Sequence, residues 1–264
     1  EASELLAVDE SDRARWRDIA ARLPLAATDP AGEQIWLWEG QPLAESHRHQ
    51  SHLAGLHPFE VFDLNDPQQA ALIQRSLDHL TRLGMGLWSG WCLPWVSILF
   101  SRVGNGDMAD LVLGLFRRLF LNQGYASTHD AVFRGFTLMA GRPLIMQIEA
   151  TMAATNAVME MLAHTRRGVL HLFPGVPRHW TTAAFEGLRT EGAFLVSAWR
   201  EDRQTKRVEV KSEVGGTLTV ANPFGGPMKV RRPDGRSEIC EGDIIAITTS
   251  PGEHLMLTLA HTSE

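Results

Sequence analysis

The sequence predicts a helical part over residues 1–168 followed by an antiparallel β part over residues 169–264. Up to about residue 164, apolar residues recur every three or four positions, as in amphipathic helices that bury one face. From Gly168 onward, short alternating runs stand between turn-forming residues, which is typical of strands in an all-β domain. This change of period near residue 170 is the best indication of a domain boundary.

Helices are predicted in the first part wherever an apolar face lies between capping and breaking residues. Ser11 is a candidate cap for the first helix, and Pro24 ends it. Asp66 caps a second helix that has Pro67 at its first position. Glycine-containing turns then join neighbouring helices into hairpins. The predicted helices cover residues 11–23, 67–83, 88–103, 107–121 and 146–164.

Residues 24–66 form a long segment with few helical or strand signals and several Pro and Gly residues. A loop of this length inside a compact domain is usually functional, and this one is too rich in aromatic residues to be disordered. Trp36 and Trp38 lie in this loop and are interpreted as cleft residues. Trp91 and Trp95 share a predicted helical face and are interpreted as core residues.

Strands in the second part are predicted from runs bounded by turn residues. The turns at Gly215-Gly216, Asn222-Pro223 and Pro233-Asp234-Gly235 each have a backbone reason to bend. The predicted strands cover residues 169–173, 194–200, 207–211, 217–221, 228–231, 244–248 and 254–259.

The composition disfavours several classes of partner. The 264-residue chain has a formal net charge of −6 and no long run of Lys or Arg, which argues against nucleic acid and anionic membranes. No apolar run reaches the roughly 18 residues that a membrane-spanning helix needs. Cys92 and Cys240 are too far apart to indicate a disulfide framework or a paired-thiolate zinc site. No cofactor is indicated, and cytoplasmic and secreted locations are both open.

The densest group of polar side chains lies in residues 46–58, where four of thirteen residues are histidines. Buried imidazoles cost desolvation and add little packing, so His47, His49 and His52 with Arg48 between them indicate a pocket. Two other interpretations are open, namely imidazoles that bond backbone groups in a core and a metal bound by His-x-His-x-x-His. The metal is disfavoured because no Asp, Glu or Cys accompanies the histidines at a familiar ligand spacing.

A series of short motifs runs in order along most of residues 30–216. It includes Trp38-Glu39, the run His47-Arg-His-Gln-Ser-His-Leu-Ala-Gly-Leu-His-Pro58, Gly90-Trp91, Gln147-Ile-Glu149 and Glu160-Met-Leu162. The histidine run is close to His-Arg-His-x-Ser-His-Leu-x-Gly-Leu-x-Pro, and the series as a whole resembles glycoside hydrolase family 95, the α-L-fucosidase-type enzymes.

The resemblance implies a fold and a division of the active site. The helical hairpins would belong to a partial (α/α)6 toroid, and the C-terminal part would be an antiparallel β-sandwich packed on its side. The general acid and an Asn pair that orients water would lie upstream of residue 1. This stretch alone would then be inactive and would need the missing N-terminal part of the same polypeptide as a partner.

Glu149 is the candidate general base, because the resemblance places it at a catalytic carboxylate. The family has Asp followed by Gly-Asn-Phe-Gly at this point, whereas Glu149 is followed by Ala-Thr-Met-Ala. Its place near a predicted helix start would keep the carboxylate ionised, which suits a base. The alternative is a purely structural first-turn glutamate.

Five residues are candidate sugar-binding residues. The resemblance implies sugar contacts for Arg48 and His49, and it adds His47 and Gln147 to the same group. Trp38 joins them because a Trp face stacks on the C–H surface of a sugar.

The expected function is inverting hydrolysis of terminal α-L-fucosyl or related α-L-galactosyl linkages in plant or host glycans. Inversion requires two carboxyl groups about 6.5–9.5 Å apart, with water between the base and the sugar. The alternative is a catalytically inactive carbohydrate-binding or scaffold protein of the same fold, which the Glu in place of Asp favours. Sugar binding without hydrolysis by the full-length chain would select that alternative.

Overall fold

The computed structural model describes residues 2–139, 141 and 145–260 of the chain. Helices occupy the first part of this range and strands the second. Among the described residues, no helix is both long and apolar enough to span a bilayer. The helices are Ala2–Leu5 (α1), Arg13–Arg22 (α2), Pro67–Leu83 (α3), Cys92–Arg102 (α4), Gly106–Leu119 (α5) and Ile148–Leu162 (α6), with 3-10 turns at Glu10–Asp12 and Ser51–Leu53.

Helix α3 has the bounds that the sequence predicts, because its start is encoded locally. The Asp66 carboxylate accepts hydrogen bonds from the backbone N–H groups of Gln68 and Gln69, and Pro67 occupies the first turn. The expected cap at Ser11 is wrong. Ser11 lies inside a 3-10 turn, and α2 begins after Asp12 without a side-chain cap.

Two other helices are shorter than expected at their ends. Helix α4 begins at Cys92 instead of residue 88, because the Gly90 N–H donates to the His129 carbonyl at 2.9 Å and so holds the preceding segment out of the helix. Helix α6 ends at Leu162, and the next residues form a strand. Pro143, which precedes the predicted helix 146–164, lies outside the described residues.

The helical part has its own apolar core, in which α4 packs against both α5 and α6. Leu93, Val96 and Leu99 of α4 are fully or almost fully buried, together with Trp88 just before it. By contrast, α2 has no buried residue, so its apolar side is not covered by any described part of the chain. The helical core therefore has α4 at its centre.

Ten strands form two sheets in the described C-terminal part. The four-stranded sheet has the order β1-β2-β6-β9 and the six-stranded sheet the order β3-β4-β5-β10-β7-β8. The strands are Ala163–Arg166 (β1), Val169–Leu172 (β2), Ala183–Thr190 (β3), Phe194–Glu201 (β4), Gln204–Ser212 (β5), Gly216–Ala221 (β6), Met228–Arg231 (β7), Ser237–Cys240 (β8), Ile244–Thr249 (β9) and His254–Leu259 (β10).

The sheets are antiparallel except where β2 pairs in parallel with β6 at Leu170 and Val220. The seven predicted strands are all present. Three more strands were not predicted: β1 falls in the predicted helix 146–164, β3 is interrupted by a bulge between Phe185 and Leu188, and β8 is an edge strand with almost no buried residues. Buried residues of both sheets, such as Val196, Val208 and Val220, share one apolar cluster.

A buried ion pair joins α4 to α6 where the helices meet the strands. The Arg102 guanidinium donates through Nε to one Glu160 carboxylate oxygen at 2.6 Å and through Nη2 to the other at 2.8 Å. Its Nη1 contacts the Glu60 carboxylate and the Thr165 carbonyl. Burial alone would raise the pKa of Glu160, but hydrogen bonds from His164 and Arg102 outweigh it and lower the pKa to about 2.

Candidate active site

The histidine segment, residues 46–58, is a compact loop held by its own side chains. The Nδ1 atom of His47 accepts the His49 backbone N–H at 3.0 Å, and Gln50 donates its side-chain amide to the His47 carbonyl at 2.9 Å. Gln50 and Leu53 are fully buried. Part of the histidine run is thus structural, as one of the open interpretations expects.

This loop contacts the start of α4 through a row of aromatic rings. The His47 and His49 rings lie 5.4 Å apart, and the His49 ring lies 5.7 Å from Trp91. Trp91 stacks on Trp95 at 4.9 Å, and the Trp95 indole N–H donates to the His57 carbonyl at 3.2 Å. Trp91 and Trp95 are half-buried, so they pack against the helical core on one side and contact the histidine loop on the other.

A second contact fixes the backbone of Arg48. The Cys92 thiol donates to the Arg48 carbonyl at 2.8 Å, and burial raises the pKa of this thiol to about 11, so that it stays protonated. The Arg48 side chain is exposed, and so is His49. The loop is therefore anchored at this point through the Arg48 carbonyl and not through its guanidinium.

Gln147 is buried at the N-terminus of α6 and reaches the same place. Its side-chain oxygen accepts the Trp91 backbone N–H at 2.8 Å. Its own backbone N–H donates to the Ser127 carbonyl at 3.0 Å, and the Ser127 hydroxyl donates to the Gln147 carbonyl at 2.5 Å. Gln147 thus connects the start of α6 to the start of α4 and, through Trp91, to His49.

Glycine at position 90 makes this approach of the two helices sterically feasible. A Cβ atom at Gly90 would lie 2.2 Å from the Thr128 carbonyl oxygen and 3.0 Å from the Gln147 side-chain oxygen. No side chain fits that space without a backbone shift.

Glu149 lies in the first turn of α6, two residues after Gln147, and its side chain is exposed. It has no hydrogen-bond or ion-pair partner within the described ranges. A carboxylate exposed at this point could accept a proton from water when a sugar binds alongside.

Trp38 lies on a different side of the loop. With His47 it lines a cavity of about 420 Å³, and Trp38 is 61% exposed. Glu45 also lines this cavity, and no motif in the sequence had pointed to this carboxylate. The structure therefore brings together His47 and Trp38 in one place, and His49 and Gln147 in another, with His47 in contact with both groups.

The sequence reasoning missed one pair beside Gly90. The His129 Nδ1 and an Asp130 carboxylate oxygen are 2.6 Å apart, and Asp130 is buried. Adjacent His and Asp residues between two turns were the available signal.

Two histidines of the loop have lowered pKa values, which favours their neutral form. Burial, with a smaller contribution from His79, lowers the pKa of His52 to about 4. Burial and the neighbouring Arg48 and His47 charges also lower the pKa of His49. Neutral imidazoles can both donate to and accept from sugar hydroxyls. No group of three or more His, Cys, Asp or Glu residues in the described ranges is arranged to hold a metal ion.

Comparison with known proteins assigns the family. The model of the glycosyl hydrolase family 95 catalytic domain matches residues 1–162. The chain belongs to glycoside hydrolase family 95. The model of the family's C-terminal domain matches residues 164–257, so both parts of the family 95 chain are accounted for by family models.

Relatives of this family 95 chain include two proteins named as fucosidases. It is 28% identical over 193 residues to alpha-L-fucosidase 2 of Arabidopsis thaliana, covering 69% of this chain and 21% of the relative. It is 28% identical over 164 residues to probable alpha-fucosidase A of Aspergillus oryzae (strain ATCC 42149 / RIB 40), covering 57% and 22%. The chain therefore spans about a fifth of the length of each of these relatives.

Among solved structures, one similar chain is a GH127 β-L-arabinofuranosidase from Geobacillus stearothermophilus T6. The match covers 64% of this chain and 32% of that chain at 12% identity. Its TM-score of 0.25 is too low to establish a common fold.

Proposed function

We propose that this chain is part of an inverting glycoside hydrolase that removes terminal α-L-fucosyl or related α-L-galactosyl residues from oligo- or polysaccharides. Membership of family 95 and the names of the two relatives support the reaction class and the fucosyl group. The observation that carries the proposal is the position of Glu149, exposed at the start of α6 next to Gln147, which itself contacts Trp91.

Glu149 acts as the general base in this proposal. It takes a proton from a water molecule while that water attacks the anomeric carbon from the face opposite the leaving group. His49 and Arg48 donate hydrogen bonds to sugar hydroxyls, and so does the side-chain amide of Gln147. His47 orients His49, and Trp38 with the cavity beside it takes the next sugar or the aglycone.

The general acid comes from another segment of the same polypeptide. The chain spans about a fifth of its relatives' length, which supports placing the general acid outside it. We propose that α2 to α6 are part of an (α/α)6 toroid and that the two sheets form a β-sandwich. The exposed apolar side chains Trp16, Ile148 and Met152 are where further helices would pack.

The test is hydrolysis by the full-length protein, followed by NMR of the first sugar released. A matched pair of aryl α-L-fucoside and aryl α-L-galactoside, which differ at one carbon substituent, distinguishes the two sugars. We expect initial release of the β-anomer of L-fucose or L-galactose. Initial release of the α-anomer would contradict inversion, and sugar binding without hydrolysis of either substrate would contradict the enzymatic proposal.

A further inference from the structure

The outward face of the six-stranded sheet carries a basic trough. Its lining residues lie between positions 195 and 256, far along the sequence from the candidate active site. Val208, Val210 and Leu257 turn inward and are buried, so their neighbours on β5 and β10 face away from the core. The trough has a volume of about 530 Å³, within the range of roughly 300–1,000 Å³ typical of small-ligand sites. Its lining includes Leu195, Ser197, Glu209, Lys211, Arg231 and Met256.

Strand register sets the order of these side chains across the trough. Leu195 pairs with Lys211, and Lys211 pairs in turn with His254. In the next row, Glu209 lies opposite Met256, which lies opposite Arg231. With neighbouring strands about 4.8 Å apart, Glu209 and Arg231 stand on backbones about 10 Å apart, with the Met256 side chain between them.

The trough has a positive charge on either side and Glu209 between them, whose carboxylate lies 3.5 Å from the Arg207 guanidinium. Lys211 and Arg231 have no ion-pair partner among the residues that the structure describes. Arg232, which also lines the trough, is instead paired with Glu253 at 2.7 Å and Glu238 at 2.9 Å, so it stabilises the β7–β8 hairpin that forms one wall. This local excess of cations stands out in a chain whose formal net charge is −6.

The floor between the cations is apolar but not flat. Leu195 and Met256 supply it, and the Arg231 guanidinium lies over Met256 with Nη2 3.4 Å from the sulfur. Such a floor can contact the C–H face of a sugar ring. Glu209 and Ser197 add hydrogen-bonding groups at the level where hydroxyls would lie.

We propose that this trough is a second, non-catalytic binding site for a polysaccharide made of uronic acid residues. A sugar ring lies on Leu195, and carboxylates of separate residues contact Lys211 and Arg231. Ring hydroxyls donate to Glu209 between them. The site would hold an acidic glycan against the C-terminal part while the active site acts elsewhere on the same material.

Two other polyanions fit the trough less well. A single-stranded nucleic acid needs aromatic platforms for its bases, and the nearby Trp199 ring is covered by the Arg207 guanidinium, 4.0 Å from the ring centroid. A densely sulfated glycan would place negative groups next to Glu209, between the two cations. A polymer with one carboxylate per sugar matches the spaced charges better.

The test is binding of polygalacturonate to the full-length protein, measured by affinity electrophoresis and calorimetry. Fully methyl-esterified polygalacturonate serves as the uncharged ligand with the same backbone. Lys211→Gln and Arg231→Gln should each weaken binding about 2- to 5-fold, the size of an exposed ion pair, and the double variant about 5- to 25-fold. Lys206→Gln is the matched control, since Lys206 is exposed on the same strand but outside the trough.

Binding must also weaken as salt rises, because exposed charges are screened. Equal binding of the methyl ester, equal loss in Lys206→Gln, or no loss in the double variant would each overturn the proposal. Tighter binding of heparin or of a single-stranded oligonucleotide would overturn the choice of ligand. The rate of aryl fucoside hydrolysis should be the same in the wild type and in all four variants. This result keeps the binding test separate from the test of the proposed activity.

Discussion

Replacing Arg102 with methionine should destabilise the folded chain by about 3–5 kcal/mol, the usual effect of removing one partner of a buried ion pair. Arg102 is 6% exposed and bonds both oxygens of Glu160. Methionine fills similar space but leaves the Glu160 carboxylate buried, with His164 as its remaining close partner at 3.3 Å. The lost contacts also include those to Glu60 and Thr165.

The lowered pKa of Glu160 expresses the same interaction as a pH dependence of stability. A decrease from 4.5 to about 2 corresponds to about 3 kcal/mol of preference for the ionised carboxylate in the folded state. Because the folded pKa is the lower one, this stability is present above pH 4.5 and is lost as the pH falls toward 2. Arg102→Met should reduce this pH dependence, and the share due to the His164 hydrogen bond should remain.

The assay is urea denaturation at pH 7. Arg82→Met is the control, because the Arg82 guanidinium is exposed and donates to the Asp78 carbonyl at 3.3 Å. This variant should change stability by less than about 0.5 kcal/mol. Adding Glu160→Met to Arg102→Met should recover much of the loss, since an apolar pair needs no charge compensation. A single Arg102→Met variant within 1 kcal/mol of wild type by this estimate would refute the reasoning.

Two further predictions concern the loop and its contact with the helices. Gly90→Ala should destabilise the fold by about 1–3 kcal/mol and lower the activity of the full-length enzyme, because the added Cβ would lie 2.2 Å from the Thr128 carbonyl oxygen. Gly114→Ala is the control, since nothing lies close to Gly114 in α5. In the same urea denaturation this variant should be neutral or more stable by up to about 1 kcal/mol. The pKa of His52 is lowered from 6.5 to about 4, so the unfolded chain takes up a proton between pH 7 and pH 5 and the folded chain does not; the stability should fall by about 2 kcal/mol over this range. His52→Gln should lack this pH-dependent loss of stability. An unchanged pH slope in that variant would contradict the burial of a neutral imidazole.

Local signals explain which elements the sequence could predict. Helix α3 is found with its predicted bounds because Asp66 and Pro67 act on their own backbone neighbours. Strand β8 was missed because it is an edge strand without a buried residue, and β1 was missed because its first two residues fall in the predicted helix 146–164. The pairing of β2 with β6 depends on the whole sheet and has no local signal.

The candidate site was predictable as a set of residues but not as a geometry. Motif order indicated His47, His49 and Gln147, yet the bond from the Trp91 backbone to Gln147 joins residues 56 positions apart. Trp91 looked like a core residue because apolar spacing reports only which face is buried. The Trp91 backbone N–H bonds Gln147, and since every residue except proline has such an N–H, the spacing of apolar side chains does not reveal this contact.

The role of Glu149 is tested most directly by the turnover number of full-length Glu149→Gln on an aryl α-L-fucoside. Loss of a general base should lower kcat about 10²- to 10⁴-fold, while the dissociation constant for L-fucose changes little because the side-chain shape is kept. Glu201→Gln, at an exposed carboxylate on β4, should leave kcat within a few-fold of wild type. Unchanged turnover in Glu149→Gln, or a comparable loss in Glu201→Gln, would contradict the assignment of Glu149 as the base.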